Sequence, residues 1–178
     1  MIRLFAALHV PEEITLALRH RQTGVPGARW RPTEALHVTL RFFGELNEPL
    51  AAELDDGLAT IRAPAFEVQL QGAGAFGEHD HMRAAWAGVA ENPALRHLAA
   101  KCETAAKRAG LKAETRTYRP HVTLAYLKRA EPPKVAAWVQ ENNLLKSPAW
   151  RATEFGLYSS WSGPDGSRYD LERTYPLS

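Results

Sequence analysis

The tetrapeptide His-Val-Thr-Leu occurs twice, as His37-Val38-Thr39-Leu40 and as His121-Val122-Thr123-Leu124. Both copies read as strands, with β-branched and aromatic residues in period-two alternation. The first runs on through Arg41-Phe42-Phe43 and is expected to stop at Gly44; the second follows Pro120 and runs on through Ala125-Tyr126-Leu127. Alternate side chains of a strand share a face. His37 and Thr39 therefore point one way and Val38 and Leu40 the other, and the second copy repeats the arrangement. Two such faces line one cleft if the strands lie side by side. The bland alternative is a pair of amphipathic strands whose His and Thr face solvent. Roughly one chain in 200 of ordinary composition shows a repeat of this kind by chance.

Around these strands the chain reads as alternating strands and helices. Residues 2–10 form an apolar, central strand. Pro11 then opens a helix to about Gln22, with Glu12 and Glu13 where the helix dipole favours acid. Trp30, Arg31 and Pro32 lead into the first motif as a loop. Asn47 caps a helix over 48–62, on which Leu50, Leu54, Leu58 and Ile61 form one stripe. Phe66, Val68 and Leu70 alternate as a strand, Gly72, Gly74 and Gly77 break the chain into a loop, and residues 82–89 form the next strand. Asn92-Pro93 opens a helix that Gly110 stops. Residues 116–127 hold the second motif strand. Pro132-Pro133 opens a helix to about Asn142, residues 149–159 form a strand, Pro164-Asp165-Gly166-Ser167 a turn, and residues 168–176 a final strand. Each half runs helix, motif strand, helix, strand pair, without a linker between them. The expected architecture is α+β, a single domain over 1–178 built of two related lobes, with sheets facing a cleft and helices outside.

Composition narrows the function classes. A chain of 178 residues is long enough for one full core, and its net charge of +2 does not by itself make a nucleic-acid binder, while a local basic cleft stays open. The one cysteine, Cys102, forbids an intrachain disulfide and suits a reducing compartment; in its helical setting it reads as a small buried apolar residue. No apolar run approaches the roughly 20 residues of a membrane span, and the apolar stretch from Leu4 to Val10 runs into Pro11 rather than a cleavage site. A cytoplasmic protein without a membrane partner is expected.

Two histidines with two threonines suit displacement at phosphorus. A neutral imidazole takes a proton from the attacking group and an imidazolium gives one to the leaving oxygen. Threonine hydroxyls donate to non-bridging oxygens as charge grows. His79 and His81 flank Asp80, but no further ligands cluster in the sequence, so an exposed loop is the better reading than zinc. No metal and no cofactor is expected, and neither a Walker loop nor a G-x-S-x-G elbow is present.

The paired motifs sit in wider blocks: Ile2 to Ala7; Arg29-Trp30 with Leu36 to Glu45; Arg83 to Val89; Tyr118 to Ala125; and Phe155 to Ser160 followed by Gly163-Pro164 and Tyr169. Together these resemble the 2H phosphoesterases, and more closely the bacterial RNA 2′,3′-cyclic phosphodiesterases, also called 2′-5′ RNA ligases. The resemblance implies a bilobal fold with both motifs on one groove. It implies metal-independent opening of RNA 2′,3′-cyclic phosphate ends to 2′-phosphates, with His37 as proton donor to the 3′ oxygen and His121 as the base that activates water. Thr39 and Thr123 would hold the phosphate. In reverse, an RNA 5′-hydroxyl replaces water and a 2′-5′ linkage forms. The partner is then an RNA end, met by a monomer. Small cyclic nucleotides or ADP-ribose cyclic phosphate are alternative substrates, and a non-catalytic RNA-end binder is the rival of another class.

Further substrate contacts are weighed residue by residue. The family's basic residue after the second motif has no clean match, because Tyr126 intervenes before Lys128 and Arg129. Either cation is a candidate phosphate contact, against solvated charges at a strand end. Arg41 shares the His37 face by parity and is an equal candidate. Parity sends Phe42 and Tyr126 to the apolar side, although either ring could stack a base. Trp30 and Trp161, in loop-like segments, are candidates for stacking or for capping the core. Arg119 reads as surface.

Overall fold

The computed structural model describes residues 1–164 and 166–178. The chain runs β1 (Ile2–His9), α1 (Glu12–Leu18), β2 (Arg29–Trp30), β3 (His37–Leu46), α2 (Glu48–Ala59), β4 (Phe66–Val68), β5 (Leu70–Glu78), β6 (His81–Val89), α3 (Pro93–Arg108), β7 (His121–Tyr126), α4 (Pro132–Glu141), β8 (Trp150–Ala152), β9 (Glu154–Gly163) and β10 (Gly166–Pro176). One four-stranded sheet has the order β10-β9-β1-β3 and the other β2-β7-β6-β5, while β4 pairs with β8. Every pairing is antiparallel. The fold is α+β, as expected.

β1 is central because both its faces are covered: Leu4 through Leu8 are all buried. The helices begin where side chains satisfy free backbone donors. Asn47 Oδ1 accepts from Leu50 N at 3.0 Å and Asn92 Oδ1 from Leu95 N at 3.1 Å, each cap being worth about 1 kcal/mol. Leu54 and Leu58 of α2 and Leu95, Leu98 and Cys102 of α3 are buried in one cluster with Val38 and Leu40 of β3 and Val122 and Leu124 of β7. The apolar half of each tetrapeptide thus anchors its strand, and His and Thr are left on the opposite face. Among the described residues no helix is long and apolar enough to cross a membrane.

The two motif strands are not neighbours. β3 is an edge of one sheet, and β7 lies inside the other. Nor are the sheets made from the two halves of the chain: β9 and β10 return to complete the sheet of β1 and β3, and β2 crosses to pair with β7.

Several boundaries differ from expectation for local reasons. β3 continues past Gly44 to Leu46, because Gly44 occupies a register shift with φ +80° rather than ending the strand; glycine takes that conformation without penalty. Gly72, Gly74 and Gly77 lie within β5, not in a loop. A side chain at Gly74 would come within 2.4 Å of the Trp86 ring on the paired strand, so the glycine makes room for an aromatic. The strand expected at 149–159 is divided into β8 and β9, which join different sheets, and the one expected from Arg116 begins only at His121. Trp30 lies in β2 and Trp161 in β9, not in loops. The turn expected over Pro164–Ser167 includes Asp165, which lies outside the described residues.

Candidate active site

His37 and Thr39 from β3 and His121 and Thr123 from β7 line a single cleft of about 350 Å³ between the sheets. Arg31, Arg83 and Arg116 also line it, with Phe42, Phe76, Tyr126 and Tyr169. No carboxylate lines it among the described residues, so the cleft presents imidazoles, hydroxyls and guanidinium groups on an aromatic wall.

The two imidazoles are held in the same way. His37 Nδ1 lies 2.8 Å from Ala35 O, and His121 Nδ1 lies 2.6 Å from Arg119 O. A carbonyl can only accept, so Nδ1 carries the proton and Nε2 is the exchangeable nitrogen in both rings. Aromatic rings fix the ring planes. Phe5 lies 4.8 Å from His37, with Tyr169 edge-on at 5.2 Å. Phe76 meets His121 edge-on at 4.8 Å, and Trp86 lies 6.0 Å away.

Burial acts on both rings, and more strongly on His37. Burial pushes His37 down from the ordinary value to about 4, against the Ala35 carbonyl, which raises it; the positive charges of Arg31 and His121 lower it further. His121 is also lowered by burial, and the Arg119 carbonyl opposes this. Both are neutral at pH 7 in the unoccupied cleft.

Parity fails at the same point in each motif strand. In β3, Thr39 pairs with Ala7 and Arg41 with Ala6, leaving Leu40 as an extra residue. In β7, Thr123 pairs with Trp86 and Ala125 with Ala85, leaving Leu124 extra. Each bulge flips the face that follows. Phe42 and Tyr126, expected in the core, therefore line the cleft and are 55% and 44% exposed. Arg41, expected beside His37, turns to the helix side, where its Nε donates to Glu103 at 2.6 Å and its Nη2 to Lys112 O at 2.7 Å.

The other expected contacts lie elsewhere. Lys128 and Arg129 are exposed beyond the end of β7 and do not line the cleft. Trp30 packs on the core with its ring 6.0 Å from Trp138. Trp161 is exposed and donates from Nε1 to Ser159 Oγ at 2.9 Å. Cys102 is buried, with its thiol pushed up to about 12 by desolvation, which leaves it inert. Among the described residues, no three His, Cys, Asp or Glu side chains converge as metal ligands. Arg31, Arg83, Arg116, Phe76 and Tyr169 were not singled out as site residues from sequence. The basic-aromatic run Trp30-Arg31-Pro32 close before the first motif, and the place of Arg83 and Tyr169 in the blocks that carry the family resemblance, offered signals for three of them.

The profile of the 2′-5′ RNA ligase superfamily matches residues 10–163. The RNA 2′,3′-cyclic phosphodiesterase of Escherichia coli is 32% identical over 99% of this chain and 97% of its own length. The protein of the same name from Aeropyrum pernix is 41% identical over 61% of each chain. The crystal structure of E. coli LigT complexed with 3′-AMP superposes with a TM-score of 0.82 at 28% identity, covering 99% of this chain and 98% of that one. With both tetrapeptides inside the matched region, the chain belongs to the 2′-5′ RNA ligase superfamily.

Proposed function

We propose that this protein hydrolyses RNA 2′,3′-cyclic phosphate ends to 2′-phosphates by metal-independent catalysis between two histidines. The observation that carries this reading is the convergence of two His-x-Thr units, from different sheets, on one cleft that no carboxylate lines among the described residues. The relatives named RNA 2′,3′-cyclic phosphodiesterase support the same reaction. In the proposed mechanism His121 Nε2 takes a proton from water as its oxygen bonds to phosphorus. The bond from phosphorus to the 3′ oxygen breaks, and His37 Nε2 delivers a proton to that oxygen. Thr39 and Thr123 donate to the non-bridging oxygens, where negative charge grows.

His37 is neutral in the unoccupied cleft, so it must take up a proton from solvent as the substrate binds. The phosphate anion favours the imidazolium and offsets the burial that suppresses it. With an RNA 5′-hydroxyl in place of water, the same proton transfers run toward a 2′-5′ linkage. We read residues 1–178 as one 2H phosphoesterase domain of two interlocked lobes, and the buried Cys102 fits a cytoplasmic setting.

The test is incubation with chelator and a short RNA ending in a 2′,3′-cyclic phosphate, followed by identification of the product. A 2′-phosphate is expected. A 3′-phosphate would reverse the leaving group, and loss of turnover that added metal restores would remove the metal-free mechanism.

A further inference from the structure

Three arginines or lysines expected at the substrate, Arg41, Lys128 and Arg129, do not line the cleft, whereas Arg31 does. Its placement is unusual for a cation. The residue is only 9% exposed. Its backbone N–H donates to Leu124 O at 2.8 Å, which fixes it to the bulge one residue after Thr123. Gln22 Nε2 secures the same spot, donating to Arg31 O at 2.8 Å and to Leu124 O at 3.1 Å. The guanidinium carbon then stands 5.4 Å from the ring centres of both Tyr126 and Tyr169, and Nη2 donates to Ser167 O at 3.1 Å. Tyr126 belongs to the sheet of His121 and Tyr169 to the sheet of His37, so the side chain spans the gap between the sheets.

Drying and immobilising a guanidinium is costly unless an anion meets it. Arg41, the comparable buried arginine, has such a partner in Glu103 at 2.6 Å. Among the described residues Arg31 pairs with no carboxylate, and it faces a cleft lined by the four His and Thr side chains. Two aromatic faces hold its planar fork by cation–π contact, and a fork of five N–H donors matches phosphate oxygens better than any other side chain.

We propose that Arg31 is a substrate-binding cation that grips a non-bridging oxygen of the cyclic phosphate and tightens as charge builds at phosphorus. This rests on the phosphodiesterase reading above. It also links binding to proton supply. The charge of Arg31 helps to keep His37 neutral in the unoccupied cleft; a phosphate on Arg31 neutralises that influence, so the substrate brings His37 into its protonated form. Arg31 thereby supplies, from the segment before the first motif, the positive charge that Lys128 and Arg129 are too far along the chain to deliver.

The test compares wild type, Arg31→Met and Arg31→Lys on a short RNA with a 2′,3′-cyclic phosphate, from pH 4 to 8, with thermal melting to establish folding. Arg31→Met is expected to lower kcat about 100-fold, the scale of losing one donor to a developing oxyanion. The limb of its kcat/KM profile that reports His37 is expected to move to higher pH because the opposing charge is gone. Arg31→Lys keeps the charge and loses the fork, so its kcat is expected to fall about tenfold with that limb near its wild-type place. A folded Arg31→Met with kcat within about twofold of wild type and an unmoved limb overturns the proposal. Should Arg31→Met not fold, the Arg31→Lys rate decides on the same terms. If the wild type itself leaves the RNA intact, the phosphodiesterase reading fails instead. Calorimetric binding of inorganic phosphate to wild type and Arg31→Lys then reads the grip alone: weaker binding in the variant sustains it, and equal binding removes it.

Discussion

The site of His37 and the site of His121 are built to one plan and tuned apart. Each histidine gives its Nδ1 proton to the carbonyl two residues earlier. Each is followed by a threonine on its own face and then by a bulge that turns an aromatic residue into the cleft. What differs is the wall. Phe5, Tyr158 and Tyr169 surround the His37 ring, and Arg31 adds a positive charge nearby, so His37 falls to about 4. His121 has Phe76 and Trp86 as neighbours and is lowered with no such charge among its causes. The repeated tetrapeptide gives both rings the same backbone anchor, while unrepeated residues from other strands set how far each ring is biased toward its neutral form.

The largest expected effect is on turnover. His37→Ala and His121→Ala should each lower kcat by about 1,000-fold, the scale of a lost proton-transfer group, with thermal melts showing that both variants remain folded. Near-normal turnover in either variant breaks the equivalence of the two sites. Thr39→Val and Thr123→Val should each cost about 10- to 100-fold through weaker stabilisation of the phosphate oxygens. Penalties that differ by more than that range would show that one lobe carries the phosphate alone.

The lowered His37 gives a third test. The folded state holds His37 near 4 against an ordinary value of 6.5. Between those values the unfolded chain binds the proton and the folded one does not, so stability falls as pH drops from about 6.5 to 4. The loss is up to about 3 kcal/mol. Denaturant melts across that window should show it, and a His37→Gln variant should lack most of it. An equal acid sensitivity in that variant would place the burden on another group. The smallest effect is expected at Lys128→Ala and Arg129→Ala, where kcat/KM should stay within about twofold because neither side chain lines the cleft. A tenfold drop in either would mean that RNA reaches beyond the end of β7.

The motif strands and their inward residues were readable because a two-residue period is a property of the backbone itself. The helix starts at Asn47 and Asn92 were readable because a cap is a local bond. Phe42, Tyr126 and Arg41 were misplaced because parity assumes an unbroken pleat, and the bulges at Leu40 and Leu124 break it. Their cause is the pairing with β1 and β6, which the strand's own residues do not announce. The glycines of β5 misled for a related reason: Gly74 answers to Trp86, a residue on another strand. Arg31 was passed over because its role comes from Tyr126 and Tyr169, far apart in sequence and together only in the fold.

The return of β9 and β10 to the sheet of β1 and β3 has a consequence for how the protein is made. During synthesis the strands around His121 leave the ribosome with all their partners already made, since β2, β5, β6 and β7 span residues 29–126. The first strand of the chain has no such completeness: its partner β9 begins only at Glu154. Until then β1 has only β3 beside it, and His37 lacks the wall that Tyr158 and Tyr169 supply. Closing that long loop is slow relative to local pairing, so the nascent chain exposes the unpaired edge of β1 and acquires a complete cleft only with its last strands.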